Sequence, residues 1–113
     1  YDFAYIHLEA PDEMGHQGNI ENKIKSIEYL DQRVIKVVME EMDKAGADYR
    51  MLVMPDHPTP IRCRTHTSDP VPYLLYDSTK KLSNSCHYNE AEAAKSGNVV
   101  LEGYTLIDRL IAK

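Results

Sequence analysis

Five prolines fall between Pro55 and Pro72, and they divide this 113-residue chain more sharply than any other feature. Proline has no amide hydrogen and a fixed φ, so a stretch this rich in it can be neither helix interior nor central strand. Loops of this length are uncommon in compact domains unless they carry function. The regular elements are therefore expected on either side of it, and the loop is the first place to look for chemistry.

Upstream, Phe3, Ala4, Tyr5, Ile6 and Leu8 make an apolar run that stops at Pro11. It predicts a buried strand over residues 3–9 whose carboxyl end enters a polar loop, Pro11 to Gly18. Asn19 is a good helix N-cap, and Ile20, Ile24, Ile27, Leu30, Val34, Val38 and Met42 recur every three or four residues. That spacing predicts one long amphipathic helix ending at Gly46. Arg50 to Met54 supplies a second short apolar run, Met51, Leu52, Val53 and Met54, stopped by Pro55. Strand, long helix, strand is the pattern of a right-handed crossover between parallel strands, which would put Asp12 and Asp56 on one rim of one sheet. Beyond the loop, Tyr73 to Tyr76 is a third strand candidate and Glu90 to Lys95 a short helix ending at Gly97. Leu106, Ile107, Leu110 and Ile111 mark a terminal helix. The expected fold is α/β, with parallel strands, one long crossover helix and short C-terminal helices.

A hydrophobic content of 42% with 27% charged residues is that of an ordinary globular chain, and the length allows one domain or part of one. The net charge of -5 and pI near 5.5 leave no broad basic surface, so nucleic acid is not an expected partner. No apolar run approaches the roughly 20 residues that span a bilayer, and no leader pattern is seen, so a cytoplasmic protein without membrane contact is expected. The chain opens at Tyr1, without methionine, and enters a strand-like run at once, as a piece of a larger polypeptide would. Cys63 and Cys86 lack a C-x-x-C neighbour and read as two thiols rather than a bridge or zinc knuckle. Cys63 stands between Arg62 and Arg64, but a reactive thiol needs a specific electropositive, accessible site, and a bystander is the expectation.

Three short clusters combine aspartate and histidine: Pro11-Asp12-Glu13-Met14-Gly15-His16, Pro55-Asp56-His57 and Arg64-Thr65-His66-Thr67-Ser68-Asp69-Pro70. Carboxylate oxygens mixed with imidazole nitrogens suit borderline divalent ions, whereas calcium sites use oxygen throughout. Taken singly, each has an ordinary explanation: aspartate after proline forms turns, and His66 in a threonine-rich loop is a surface residue. Taken together, at loops that end strands, they point to a two-metal site able to clamp the attacking and leaving oxygens of a phosphoryl displacement. His7, inside the first strand, is expected to be a hydrogen-bonded core histidine, and His87, in a polar connector, a solvated one.

The stretch Glu9-Ala10-Pro11-Asp12-Glu13-Met14-Gly15-His16, then Lys25 and Asp31, then Met54-Pro55-Asp56-His57-Pro58-Thr59-Pro60, and Arg64-Thr65-His66-Thr67-Ser68-Asp69-Pro70-Val71-Pro72 closely resembles the archaeal-type cofactor-independent phosphoglycerate mutases of the alkaline phosphatase superfamily. The resemblance runs from Asp2 to about Tyr76. It implies that Asp12, His16 and His66 hold one divalent metal ion and Asp56 and His57 the other, with manganese the usual ion and zinc, magnesium or cobalt alternatives. It also implies that this chain is the carboxyl-terminal part of the metal-binding phosphatase-like domain, with residues 1–113 lying after the segment that supplies the serine or threonine nucleophile. No catalytic nucleophile is then expected here; Thr59, Thr65 and Thr67 have nothing nearby in sequence to activate them. Arg62 and Arg64 are candidates for a phosphate contact or for plain solvation. In the intact enzyme the implied reaction is interconversion of 3-phosphoglycerate and 2-phosphoglycerate, a step of glycolysis and gluconeogenesis, through a phosphoenzyme. Sister phosphatases or phosphomutases, or a silent metal-binding domain, are the alternatives. Gly103-Tyr104 stands where the family often has Gly-His, so no site residue is assigned beyond His66.

Overall fold

A computed structural model describes residues 1–80, 82 and 86–113. Its regular elements are helix α1 (Ala10–Gln17), helix α2 (Ile20–Leu30), a π-helical turn (Asp31–Ile35), helix α3 (Lys36–Lys44), strands β1 (Arg50–Val53) and β2 (Leu74–Asp77), and helices α4 (Glu90–Lys95) and α5 (Leu106–Ile111).

The expected loop after Pro11 is helix α1. Proline sits in its first turn, where a missing amide hydrogen costs nothing, Asp12 and Glu13 complement the helix dipole, and Gly18 closes it at φ 67°. Proline followed by aspartate favours a turn in sequence, and here the same residues open a helix. The long helix starts where expected: Asn19 Oδ1 accepts the amide hydrogen of Asn22 at 3.0 Å. It runs to Lys44 through the π-helical turn, where the Lys36 amide reaches back to the Asp31 carbonyl, and it ends before Gly46, at φ 64°.

The expected parallel sheet is not formed among the described residues. Residues 3–9 make no strand ladder, and the one pairing is antiparallel, β1 to β2, in the register Arg50↔Asp77, Met51↔Tyr76, Leu52↔Leu75 and Val53↔Leu74. A strand exists only where a neighbour satisfies its amides and carbonyls, so an apolar run without a partner ladder stays irregular. Phe3, Tyr5, Ile6 and Leu8 are accordingly exposed, as is the first half of the helical stripe at Ile20, Ile24 and Ile27. The fold is mixed α/β with a thin interior: Leu106 is the large apolar side chain buried among the described residues, at 4% exposure.

Local ties hold the elements in place. Arg50 donates to Asp77 across the strand pair at 3.0 Å and to the carbonyls of Leu110 and Ala112 at the end of α5, fastening the terminal helix to the sheet. The Tyr88 hydroxyl donates to the Pro72 carbonyl at 3.0 Å; burial of that hydroxyl, with Glu90 nearby, pushes its pKa up to about 12. The polar connector expected after the third strand falls partly on residues 81 and 83–85, outside the described residues. His87 is exposed. No helix among the described residues is long and apolar enough to cross a membrane.

Candidate metal centre

Helix α1 turns the spacing of Asp12 and His16 into proximity, because residues four apart share a helix face. Asp12 Oδ2 lies 3.3 Å from His16 Nε2. The proline-rich loop then brings in His66, whose Nε2 is 3.2 Å from Asp12 Oδ1 and 3.2 Å from His16 Nε2. Asp12, His16 and His66 each offer a ligand atom, and these atoms all lie within 4.8 Å of one another.

The protonation of this cluster follows from its partners. His16 Nδ1 is 3.0 Å from the Arg64 carbonyl oxygen, and a carbonyl only accepts, so Nδ1 carries a proton. With Nδ1 protonated, a second proton or a cation at Nε2 is what joins that nitrogen to Asp12 Oδ2. Two acceptors this close require positive charge between them, a proton or a metal ion. The Arg64 carbonyl is aimed by an unusual backbone: Arg64 has φ 52°, the left-handed region that non-glycine residues rarely occupy. Its guanidinium covers Gly18, where a Cβ would meet Arg64 Nε at 2.5 Å.

Asp12 has its pKa lowered, first by the Thr59 hydroxyl donating to Oδ1 at 2.5 Å, with burial opposing, and then by His16, His66 and His57. Among the described residues its ion-pair partners are histidines, and no lysine or arginine is paired with it. One carboxylate and two imidazoles with converging acceptor atoms fit a borderline divalent cation.

Asp56 and His57 face each other differently. The His57 amide donates to Asp56 Oδ1 at 3.1 Å, and His57 Nε2 is 3.5 Å from Asp56 Oδ2. No third group completes a ligand set with this pair among the described residues. The two sets are nevertheless adjacent: the His57 and His66 rings have centroids 3.6 Å apart. A cleft of about 210 Å³ is lined by His7, Leu8, Glu9, Asp12, Asp56 and His57. His7 is thus exposed at the mouth of the site and bonded to the Tyr5 hydroxyl at 3.2 Å, rather than a core residue. Its expected burial depended on the strand that does not form.

Arg62 lies 3.8 Å from Asp69, and its Nη1 is 3.0 Å from Cys63 Sγ. Two further residues stand at the site, Thr59, which the sequence offered only as a nucleophile lacking an activating neighbour, and Lys23, which it did not single out. Thr59 is 5% exposed, and Lys23 Nζ donates to its carbonyl at 2.6 Å. The pair of prolines flanking Thr59 was the one available hint that its backbone is held still.

Comparison with known proteins bears on this cluster. The family model described as the metalloenzyme superfamily matches residues 1–104. A protein of Geobacter sulfurreducens named "Probable 2,3-bisphosphoglycerate-independent phosphoglycerate mutase" is 45% identical over 112 residues, 98% of this chain and 28% of that protein. The 2,3-bisphosphoglycerate-independent phosphoglycerate mutase of Methanothrix thermoacetophila is 41% identical over 111 residues, again 98% of this chain and 28% of its own length. That of Methanosarcina mazei is 39% identical over 100 residues, 88% of this chain and 25% of the relative. The chain therefore spans little more than a quarter of the length of these relatives. No solved structure matches.

Proposed function

The chain belongs to the metalloenzyme superfamily, and from that premise we propose that it is the carboxyl-terminal part of the metal-binding domain of a cofactor-independent phosphoglycerate mutase. The observation that carries this reading is the convergence of Asp12, His16 and His66, three groups whose ligand atoms meet with no fixed cation among them. The relatives' names support the substrate, and their greater length supports the remainder of a parent polypeptide as the partner of this chain.

In this reading Asp12, His16 and His66 hold one divalent ion, and Asp56 and His57 contribute to a second whose other ligands come from elsewhere in the polypeptide. Manganese is the ion assigned, the mixed oxygen and nitrogen donors suiting it as they suit zinc or cobalt. Such ions supply Lewis acidity that offsets charge on phosphoryl oxygens and lowers the pKa of a hydroxyl nucleophile. The chain's own residues orient that chemistry. Arg64, through its carbonyl, keeps the His16 proton on Nδ1, and the carboxylate of Asp12 spans His16 and His66. The exposed apolar side chains Phe3, Ile6, Leu8 and Ile24 pack against the rest of the parent, which supplies the serine or threonine that becomes phosphorylated.

The test is turnover of 3-phosphoglycerate by the full-length protein without added 2,3-bisphosphoglycerate. Conversion to 2-phosphoglycerate is expected, abolished by a chelator and restored by manganese. A requirement for 2,3-bisphosphoglycerate, or release of inorganic phosphate in place of isomer, would sink the mutase reading, the latter in favour of a phosphatase.

A further inference from the structure

We infer that Thr59 is a positioning residue that couples the two ligand sets: its one hydroxyl orients the Asp12 carboxylate and holds His57 in the tautomer that leaves Nε2 open. Thr59 Oγ1 is 2.5 Å from Asp12 Oδ1 and 3.3 Å from His57 Nδ1. A hydroxyl has one hydrogen, and a carboxylate oxygen can only accept it. That hydrogen therefore goes to Asp12, and the contact with His57 requires the hydrogen of Nδ1–H. The Pro58 carbonyl, 3.4 Å from the same Nδ1, is also an acceptor and favours the same tautomer. With Nδ1 protonated, the lone pair of His57 is on Nε2, the nitrogen that lies 3.5 Å from Asp56 Oδ2. Groups of this kind set ring orientation and tautomer in metal sites, and their loss commonly lowers metal affinity about 10- to 100-fold.

The surroundings hold Thr59 in one place. Lys23 Nζ donates to its carbonyl, prolines flank it, and its carbonyl and methyl lie against Gly15, where a Cβ would meet them at 2.5 Å and 2.9 Å. Burial separates this role from that of a nucleophile: at 5% exposure, with its proton already committed to Asp12, the hydroxyl has no open path to a substrate. Asp12 faces one metal ion and His57 the other in the function proposed above, and the inference rests on that reading for its effect on metal.

The experiment uses the full-length protein, labelled with nitrogen-15 at histidine and free of metal, with Thr59→Val and Thr59→Ser variants. Valine keeps the shape and removes the hydroxyl; serine keeps the hydroxyl. The nitrogen shifts of His57 are expected to report Nδ1–H in the wild type and in Thr59→Ser, with that tautomer's population falling in Thr59→Val. Manganese affinity by calorimetry should fall about 10- to 100-fold in Thr59→Val and be largely retained in Thr59→Ser. A wild-type His57 that carries its proton on Nε2 overturns the inference without any variant, so a misfolded Thr59→Val leaves it testable. So does a Thr59→Val protein with wild-type tautomer and affinity. A wild type that binds no manganese overturns the metal reading instead, and the tautomer still decides the role of Thr59.

Discussion

Asp12 and Asp77 are both carboxylates held below their ordinary pKa, and they are built for opposite ends. Asp77 is answered from within: the Thr79 hydroxyl and amide donate to it at 2.6 and 2.9 Å, Arg50 at 3.0 Å, and its pKa falls to about 2. Its charge is matched by a cation in the same strand pair. Asp12 receives one hydroxyl proton and otherwise meets the imidazoles of His16 and His66, with no guanidinium or ammonium paired to it among the described residues. A carboxylate met by several donors and a guanidinium is structural; one met by a single hydroxyl and two imidazoles is left with charge for something outside the chain to neutralise.

The largest effect expected is on substitution of the first of these. Asp12→Asn keeps the shape and removes the charge, so manganese affinity should collapse and turnover of the full-length protein should fall at least about 100-fold, the scale for losing an electrostatic contact made in a transition state. Asp77→Asn should lower the melting temperature and leave manganese affinity unchanged. Calorimetric titration of both variants, with thermal melts alongside, reads the contrast directly. Equal losses of metal affinity would show that the two carboxylates are not the different devices described above.

A second effect of moderate size probes why Asp12 is where it is. Replacing Gly15 by alanine gains helix propensity worth about 1 kcal/mol in an exposed helix. The new Cβ would meet the Thr59 carbonyl at 2.5 Å, and backbone cannot step aside as a flexible side chain can. Overpacking of this kind costs about 1–3 kcal/mol, so the clash should win and Gly15→Ala should be destabilising in urea, with metal affinity lowered as α1 is displaced from the loop. A stabilised Gly15→Ala protein would mean that α1 and Thr59 are not in close contact, and the coupling of Asp12 to the proline-rich loop would go with it.

How much of this was legible in the sequence divides along the same line between local and tertiary causes. The Asn19 cap, the start of the long helix, β1, β2 to within one residue, and α4 follow from spacing, capping and turn residues that act over a few positions. Helix α1 differs from the expected loop because proline, aspartate and glycine serve helix ends as readily as turns. The strand over residues 3–9 and the parallel sheet depend on ladder partners that spacing does not supply. At the site, Asp12, His16 and His66 were recognisable by residue type and position, and their grouping apart from Asp56 and His57 came from the resemblance. The role of Thr59 was not legible, since it arises from the approach of residues 47 positions apart, which Gly15 permits by having no side chain.

The smallest effect lies on the closed side of the comparison. An aspartate titrates near 3.9 in an unfolded chain and Asp77 at about 2 in the fold, so the sign is that of a depressed carboxylate. Its contribution to stability is fully present at pH above about 4, declines below that as the unfolded chain takes up the proton first, and is gone once pH drops through the folded value near 2. Carboxyl carbon shifts followed from pH 5 downward should place the Asp77 midpoint near 2. The Thr79 hydroxyl is the largest single source of that depression, so Thr79→Ala should move the midpoint up toward the ordinary range, the Thr79 amide and Arg50 holding it short of that range. Because Asp77 takes no part in the metal cluster, saturating manganese should leave its midpoint where it was. A midpoint that shifts with manganese would join the two regions that the geometry keeps apart.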